Sequence, residues 1–175
     1  MITSNILEGK KIILRQIELS DCTERYVEWL NDPEVNQYLE TKWVEQNLET
    51  VKDFVRAQRE NDDSILWAII SKENLTHIGN IKIGPINKYH QHADISYFIG
   101  EKDYWRKGIA TEAIQLVTEY GLNELKLHKL EAGTYEDAIG SQKALEKNGY
   151  VKEGVFVEHV YFMGEYKAVF RYGKI

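Results

Sequence analysis

The stretch Tyr97-Phe98-Ile99-Gly100-Glu101-Lys102-Asp103-Tyr104-Trp105-Arg106-Lys107-Gly108-Ile109-Ala110-Thr111-Glu112-Ala113-Ile114 changes rhythm twice. Its first residues read as the end of an apolar strand, its middle as a polar loop and its last residues as the start of a helix. Small residues stand at Gly108 and Ala110, and cations at Arg106 and Lys107, where the helix begins. The first amides of a helix have no intrahelical acceptor, and the helix dipole favours negative charge beside them. Gly108 permits close backbone approach, and Ala110 adds only a methyl group. The same residues also fit an ordinary helix start with two solvated cations, and composition leaves both readings open. Neither G-x-x-x-x-G-K-[ST] nor G-x-G-x-x-G occurs, which disfavours P-loop NTPases and dinucleotide-binding folds.

Before this segment, Lys11–Ile17 reads as a first strand. Asp21–Leu30 reads as a short helix, with Asp21 and Glu24 as a capping pair. Asp32-Pro33 reads as the start of another short helix. Leu48–Arg59 is a longer helix with Val51, Phe54, Val55 and Gln58 on one face. Strands are expected over Ile65–Ser71, over His77–Ile86 until Pro85 disrupts it, and over Ala93–Ile99. After the loop come a helix over Gly108–Leu122, a strand over His128–Tyr135 and a helix over Ser141–Asn148 stopped by Gly149. The last strands are expected over Tyr150–Val157 and Val160–Tyr172. This order points to a mixed sheet with helices packed on it.

The bulk numbers narrow the function. A chain of 175 residues with only two prolines and no Gly/Ser-rich linker suits one domain over residues 1–175. A net charge of −6 argues against a broad nucleic-acid surface. The single cysteine, Cys22, forms no intramolecular disulfide and reads as a small half-buried side chain. No apolar run approaches a membrane span, and Met1 to Ile6 lack a signal-peptide pattern, so a cytoplasmic protein is expected. His90 and His92 share a strand face, but two imidazoles without a cysteine cluster make no zinc site, and no metal is expected.

Several ordered motifs together carry a resemblance. Tyr104-Trp105-Arg106-Lys107-Gly108-Ile109-Ala110-Thr111-Glu112-Ala113 resembles the acetyl-CoA loop of the GCN5-related N-acetyltransferases (GNAT), in the branch that modifies ribosomal-protein N-termini. Gly108 and Ala110 match the pattern Arg/Gln-x-x-Gly-x-Gly/Ala, while Trp105 stands where Arg or Gln is usual. Ala93-Asp94-Ile95-Ser96-Tyr97 is similar to the family's Ala-Glu-Ile-Gly-Tyr strand. Leu127 to Ala132 resembles its fifth strand, and Ser141 to Tyr150 its Ser-x-x-x-x-Glu-Lys-x-Gly-Phe helix. Lys152-Glu153-Gly154 and the hairpin Phe162 to Tyr166 continue the match, which runs from about Lys10 to the C-terminus.

The resemblance implies an α/β (α+β) GNAT fold: a mixed, mostly antiparallel sheet of about seven strands, flanked by helices and splayed between the fourth and fifth strands. It implies an acetyl-CoA-dependent N-acetyltransferase with no metal. The backbone of Phe98 and Ile99 would meet the pantetheine arm, and Arg106, Lys107, Gly108, Ile109, Ala110 and Thr111 would hold the diphosphate.

The amine must lose a proton before it attacks the thioester, and the leaving thiolate needs a donor. Asp94 takes the acidic position of the family's fourth strand and is the first base considered; Glu40 is the second. The Tyr that many relatives use as general acid is Leu145 here. Ser141 remains as a donor, or as a helix cap. Ala138 replaces a frequent Asn. On the acceptor side, Tyr38, Glu40 and Trp43 line the stretch Trp29 to Trp43, which is similar to acetyltransferases of nucleotide-linked amino sugars. An N-terminal alanine of a ribosomal protein and a polyamine are alternative acceptors, and a non-catalytic CoA-binding regulator is the alternative of another class. The partner is thus a small amine or a protein N-terminus, with a homodimer allowed.

Overall fold

The structure is a computed structural model that describes residues 6–175. The expectation about a leader concerns mainly Met1 to Asn5, which lie outside the described residues. Eight strands form one sheet: β1 (Leu7–Glu8), β2 (Ile12–Gln16), β3 (Ile65–Ser71), β4 (His77–Asn87), β5 (His92–Ile99), β6 (Lys129–Tyr135), β7 (Val151–Phe162) and β8 (Glu165–Lys174). The spatial order is β1-β2-β3-β4-β5-β6-β8-β7. Among the described residues, only the β5–β6 pair is parallel. The helices are α1 (Glu24–Asn31), α2 (Leu48–Glu60), α3 (Ile109–Glu119) and α4 (Ile139–Lys147). None of the described helices is long and apolar enough to cross a membrane.

Every residue of β3 is buried, because helices cover both faces of the sheet at that strand. Ile65, Trp67 and Ile69 join Ile109, Ile114, Val117 and Leu145 from α3 and α4. Leu66, Ala68 and Ile70 join Tyr26, Leu30, Val51 and Val55 from α1 and α2. The α1–α2 layer reaches β5 at Phe98, while Asp94 and Ser96 on the same face of that strand lie beyond it. Phe54, expected on the buried face of α2, is exposed.

The sheet of about seven strands is borne out, with eight among the described residues because Leu7–Glu8 pairs with Ile13 and Leu14. The structure corrects several sequence expectations. Asp32-Pro33 opens a series of turns, not a helix. The Asp32 side chain accepts from the Glu34 amide, and the Asn36 side chain donates to the Leu30 carbonyl at the end of α1. Asp21 does not cap α1: Thr23 does, accepting from the Tyr26 amide at 3.3 Å. Cys22 is more buried than expected, and burial pushes its thiol above the ordinary value. His90 lies in the turn before β5 rather than on the strand, although its ring stacks on His92. Pro85 does not end β4, which continues to Asn87 past an irregularity between Ile83 and Ile86. The last break lies at Met163-Gly164, not at Glu158-His159. Both turn residues have positive φ, 50° and 88°, as a tight hairpin requires. The polar pair Glu158-His159 instead sits in a bulge of β7.

Asp21 has a different role. Its carboxylate takes two bonds from Arg15, at 2.8 and 2.6 Å, and one from the Glu18 amide at 2.8 Å. Burial alone would raise its carboxyl, but these donors outweigh burial and hold it below its ordinary value. A depressed carboxyl adds stability above its unfolded pKa and loses it as pH falls through the lower folded value. Asp21→Asn should therefore cost about 2 kcal/mol near neutrality. The loss should shrink below about pH 4, where the unfolded carboxyl takes up its proton. Denaturant melts across pH measure both; a penalty that did not change with pH would rule out the ion pair as its source.

The feature that positions the site is the β5–β6 pair. It has only three rungs, His92–Asp94 against Lys129–Glu131. Past Asp94 the two strands part, while β6 stays paired with β8 as far as Tyr135. The result is a wedge-shaped gap that widens toward Ile99 and Tyr135.

Candidate active site

One wall of the site is the loop between β5 and α3. Gly108 caps α3 with φ 79° and ψ 11°, a left-handed conformation that glycine adopts without strain. Arg106 is also left-handed, at φ 60°. The Glu112 amide bonds to the Gly108 carbonyl at 3.0 Å, so the helical ladder starts there. The amides of Gly108, Ile109, Ala110 and Thr111 have no acceptor among the described residues. The Ile109 side chain is buried in the core, so α3 is fixed while its first amides stay open. Arg106 is exposed and has no partner among the described residues. The Lys107 ammonium lies 5.4 Å from the centre of the Tyr104 ring.

Lys11, which sequence reasoning passed over, braces this loop. Its ammonium donates to the Lys107 carbonyl at 2.6 Å, and its backbone amide donates to the Glu112 carboxylate at 3.0 Å. A side chain at Gly9 would collide with Glu112, so the turn before β2 packs tightly on the start of α3. Trp105, at the position where Arg or Gln is usual, gives its indole N–H to the Ile99 carbonyl at 2.8 Å. It ties the loop to the end of β5. Phe98, beside it, turns its ring toward Tyr26 and Trp29.

On the α3–α4 face of the gap, the Tyr97 hydroxyl lies 2.6 Å from Ser141 Oγ. Ser141 is not the cap of α4: the helix begins two residues earlier, after Ala138, and leaves the Ser141 side chain free for this contact. Burial raises the Tyr97 phenol to about 12, against a smaller opposing effect of the Ser141 bond, so it stays protonated at neutral pH. Leu145 is fully buried in the core and contributes no polar group.

On the opposite, open face lie the carboxylates. Asp94 Oδ1 accepts from Arg171 Nη2 at 2.6 Å. Its second oxygen has no partner among the described residues. Glu40 is fully engaged: Oε1 accepts from the Tyr135 hydroxyl at 2.6 Å and Oε2 from the Trp43 indole at 3.1 Å. Tyr38, Glu40 and Trp43 thus come together as the sequence implied, around Tyr135 and Phe162, which it did not single out. The Tyr38 ring packs 5.6 Å from Tyr135 and 5.2 Å from Phe162. Among the described residues, no group of three or more His, Cys, Asp or Glu side chains is arranged to hold a metal ion.

A sheet opened between two parallel strands, with open helix amides at one end and polar groups on both faces, offers a gap for an elongated, phosphate-bearing ligand. The family model described as "Acetyltransferase (GNAT) domain" matches residues 11–151, and the chain belongs to that family. It is 33% identical over 162 residues to the uncharacterized N-acetyltransferase YoaA of Bacillus subtilis, covering 91% of this chain and 90% of that one. It is 25% identical to the spermidine N(1)-acetyltransferase of Vibrio cholerae, over 93% and 92% of the two chains. Among solved structures, RimL, a ribosomal L7/L12 alpha-N-protein acetyltransferase in complex with coenzyme A, superposes with a TM-score of 0.86 at 16% identity, covering 98% of each chain. The Vibrio cholerae spermidine N-acetyltransferase with CoA and spermine gives 0.84 at 20% identity, over 95% and 96%. The chain is an N-acetyltransferase that takes its acetyl group from acetyl-CoA.

Proposed function

We propose that the acceptor is a small primary amine entering from the open face, along Tyr38, Glu40, Trp43 and Tyr135. The observation that carries this reading is the three-rung β5–β6 pair, which leaves a gap with proton donors on one face and carboxylates on the other. The open amides of Gly108 to Thr111 and the unpaired Arg106 suit the diphosphate of acetyl-CoA. The backbone of Ile99 and its neighbours borders the pantetheine path.

Asp94 takes the ammonium proton through its unpartnered oxygen, directly or by way of water, and Arg171 holds the carboxylate in place. The neutral nitrogen forms the amide bond as the carbon–sulfur bond breaks. Ser141 donates its hydroxyl proton to the departing sulfur and takes the second proton of the attacking nitrogen in its place, while Tyr97, which keeps its own proton, orients the Ser141 hydroxyl. Glu40 is the poorer base, because aromatic donors occupy both its oxygens. Asp94→Asn should lower kcat about tenfold, at the mild end for a proton-transfer residue because Arg171 already commits one oxygen. Affinity for CoA should not change. Unaltered turnover would leave Asp94 as a purely structural partner of Arg171.

Of the acceptors considered, an aliphatic amine draws support from the spermidine-acetylating relative. A nucleotide-linked amino sugar would need stacking faces, and the Tyr38 ring is already packed against Tyr135 and Phe162. Thiol release from acetyl-CoA should be measured with an aliphatic amine, an amino-sugar nucleotide and a peptide with N-terminal alanine. Turnover with the aliphatic amine is expected to be fastest. Preference for the peptide or the sugar would replace that acceptor. Tight CoA binding without turnover on any amine would sink the catalytic reading in favour of a CoA-binding regulator.

A further inference from the structure

The open face carries an arrangement that acetyl transfer alone does not require. Lys42 places its ammonium 4.7 Å from the centre of the Tyr135 ring, 4.9 Å from Trp43 and 5.3 Å from Phe162. These distances are those of cation–π contacts. The ammonium also donates to the Gln37 carbonyl at 2.9 Å and to the Tyr135 hydroxyl at 3.3 Å. The Glu40 carboxylate lies just behind, bonded to two of the same aromatic residues, Tyr135 and Trp43. Three rings and a carboxylate thus make a box for a positive charge at the wide end of the β5–β6 gap. The chain fills that box with its own side chain.

Burial lowers the Lys42 ammonium below its ordinary value, and the nearby Glu40 charge only partly compensates. The three ring contacts, the Gln37 carbonyl and Glu40 hold the charge against that loss of hydration. Lys42 belongs to a short 3-10 turn over Glu40–Trp43, and rotations about its own side-chain bonds suffice to withdraw it. A box that favours a cation cannot hold the reacting nitrogen, which must be neutral to attack. It suits a second, charged nitrogen of the same molecule.

We propose that this aromatic box seats a non-reacting ammonium group of a dicationic acceptor, and that Lys42 is a built-in occupant which the acceptor displaces. The proposal rests on the amine-acetylating reading above and narrows its substrate class to amines that carry a second positive charge on an aliphatic stem. Lys42 then acts as a gate. A monoamine has no group that gains by expelling it, and a diamine has one.

The test uses the full chain saturated with CoA, titrated calorimetrically with diaminobutane and with butylamine. Lys42→Met keeps the aliphatic stem and removes the charge. It should tighten diaminobutane about tenfold relative to butylamine, the effect of removing roughly 1.4 kcal/mol of competition, with CoA affinity unchanged. Phe162→Leu, which thins one wall and leaves Lys42 in place, should weaken diaminobutane relative to butylamine. An unchanged ratio in both variants, or weaker diaminobutane binding in Lys42→Met, would overturn the proposal and make Lys42 a structural pin. Because the readout is binding, it stands apart from turnover. Absence of acetyl transfer to any amine refutes the functional reading, whereas equal treatment of the two amines refutes only the box.

Discussion

Gly108→Val is expected to weaken CoA binding about 100-fold, roughly 2.7 kcal/mol. Two costs add. A β-branched residue at φ 79° is strained, typically by about 1–3 kcal/mol. Its methyl groups would also stand beside the open amides of Ile109 and Ala110, where the diphosphate must approach. The added carbon itself meets little: the nearest atom to a Cβ at Gly108 is Lys11 Nζ, at 3.7 Å. The fold should therefore survive, with the melting temperature falling by a few degrees. Calorimetric titration with CoA checks affinity, and a thermal melt checks folding. A folded variant with native affinity would mean that the loop does not hold the diphosphate. Gly108→Ala should show the same direction with a smaller loss, since the strain is less and the methyl is shorter than an isopropyl group.

The second large effect concerns proton delivery. Ser141→Ala should reduce kcat about 100-fold, in the range that positioned proton donors contribute. KM for acetyl-CoA should change little, because the residue acts on the departing sulfur and not on the diphosphate. Tyr97→Phe removes only the group that orients Ser141 and should cost less, about tenfold. Tyr97 holds its proton up to about pH 12, so the pair should add no limb of its own to the pH–rate profile near neutrality. Steady-state rates across pH test all three statements. A Ser141→Ala enzyme with native kcat would send the proton to the sulfur by another route.

Much of this site was legible in the chain, for local reasons. Gly108 and the polar run before it marked the start of α3, because a left-handed residue followed by an amphipathic helix is a sequence-local event. Gly149, at φ 78°, ended α4 for the same reason. The gap between β5 and β6 was visible only through the resemblance, since strand pairing depends on residues far apart. The misread segments failed where side chains chose tertiary partners. Asp32-Pro33 looked like a helix start, yet Asp32 also accepts an ion pair from Lys102 at 2.7 Å and anchors a turn. Ser141 looked like a helix cap because serine favours that place, yet its hydroxyl points to Tyr97. Tyr97, Tyr135, Lys42 and Phe162 carried no local signal at all. They come from four separate stretches, and folding alone brings them to the two faces of the gap.

Trp105 gives the diphosphate loop a property that affinity measurements alone would hide. The indole bond to Ile99, together with the Lys11 brace on the other side, holds the loop in shape before any ligand arrives. A loop that is already ordered does not pay ordering entropy when it is filled. Association should then follow a single step, with a rate proportional to ligand concentration and no slow phase of loop closure. What the usual Arg or Gln would give as one more contact, this chain gives as readiness.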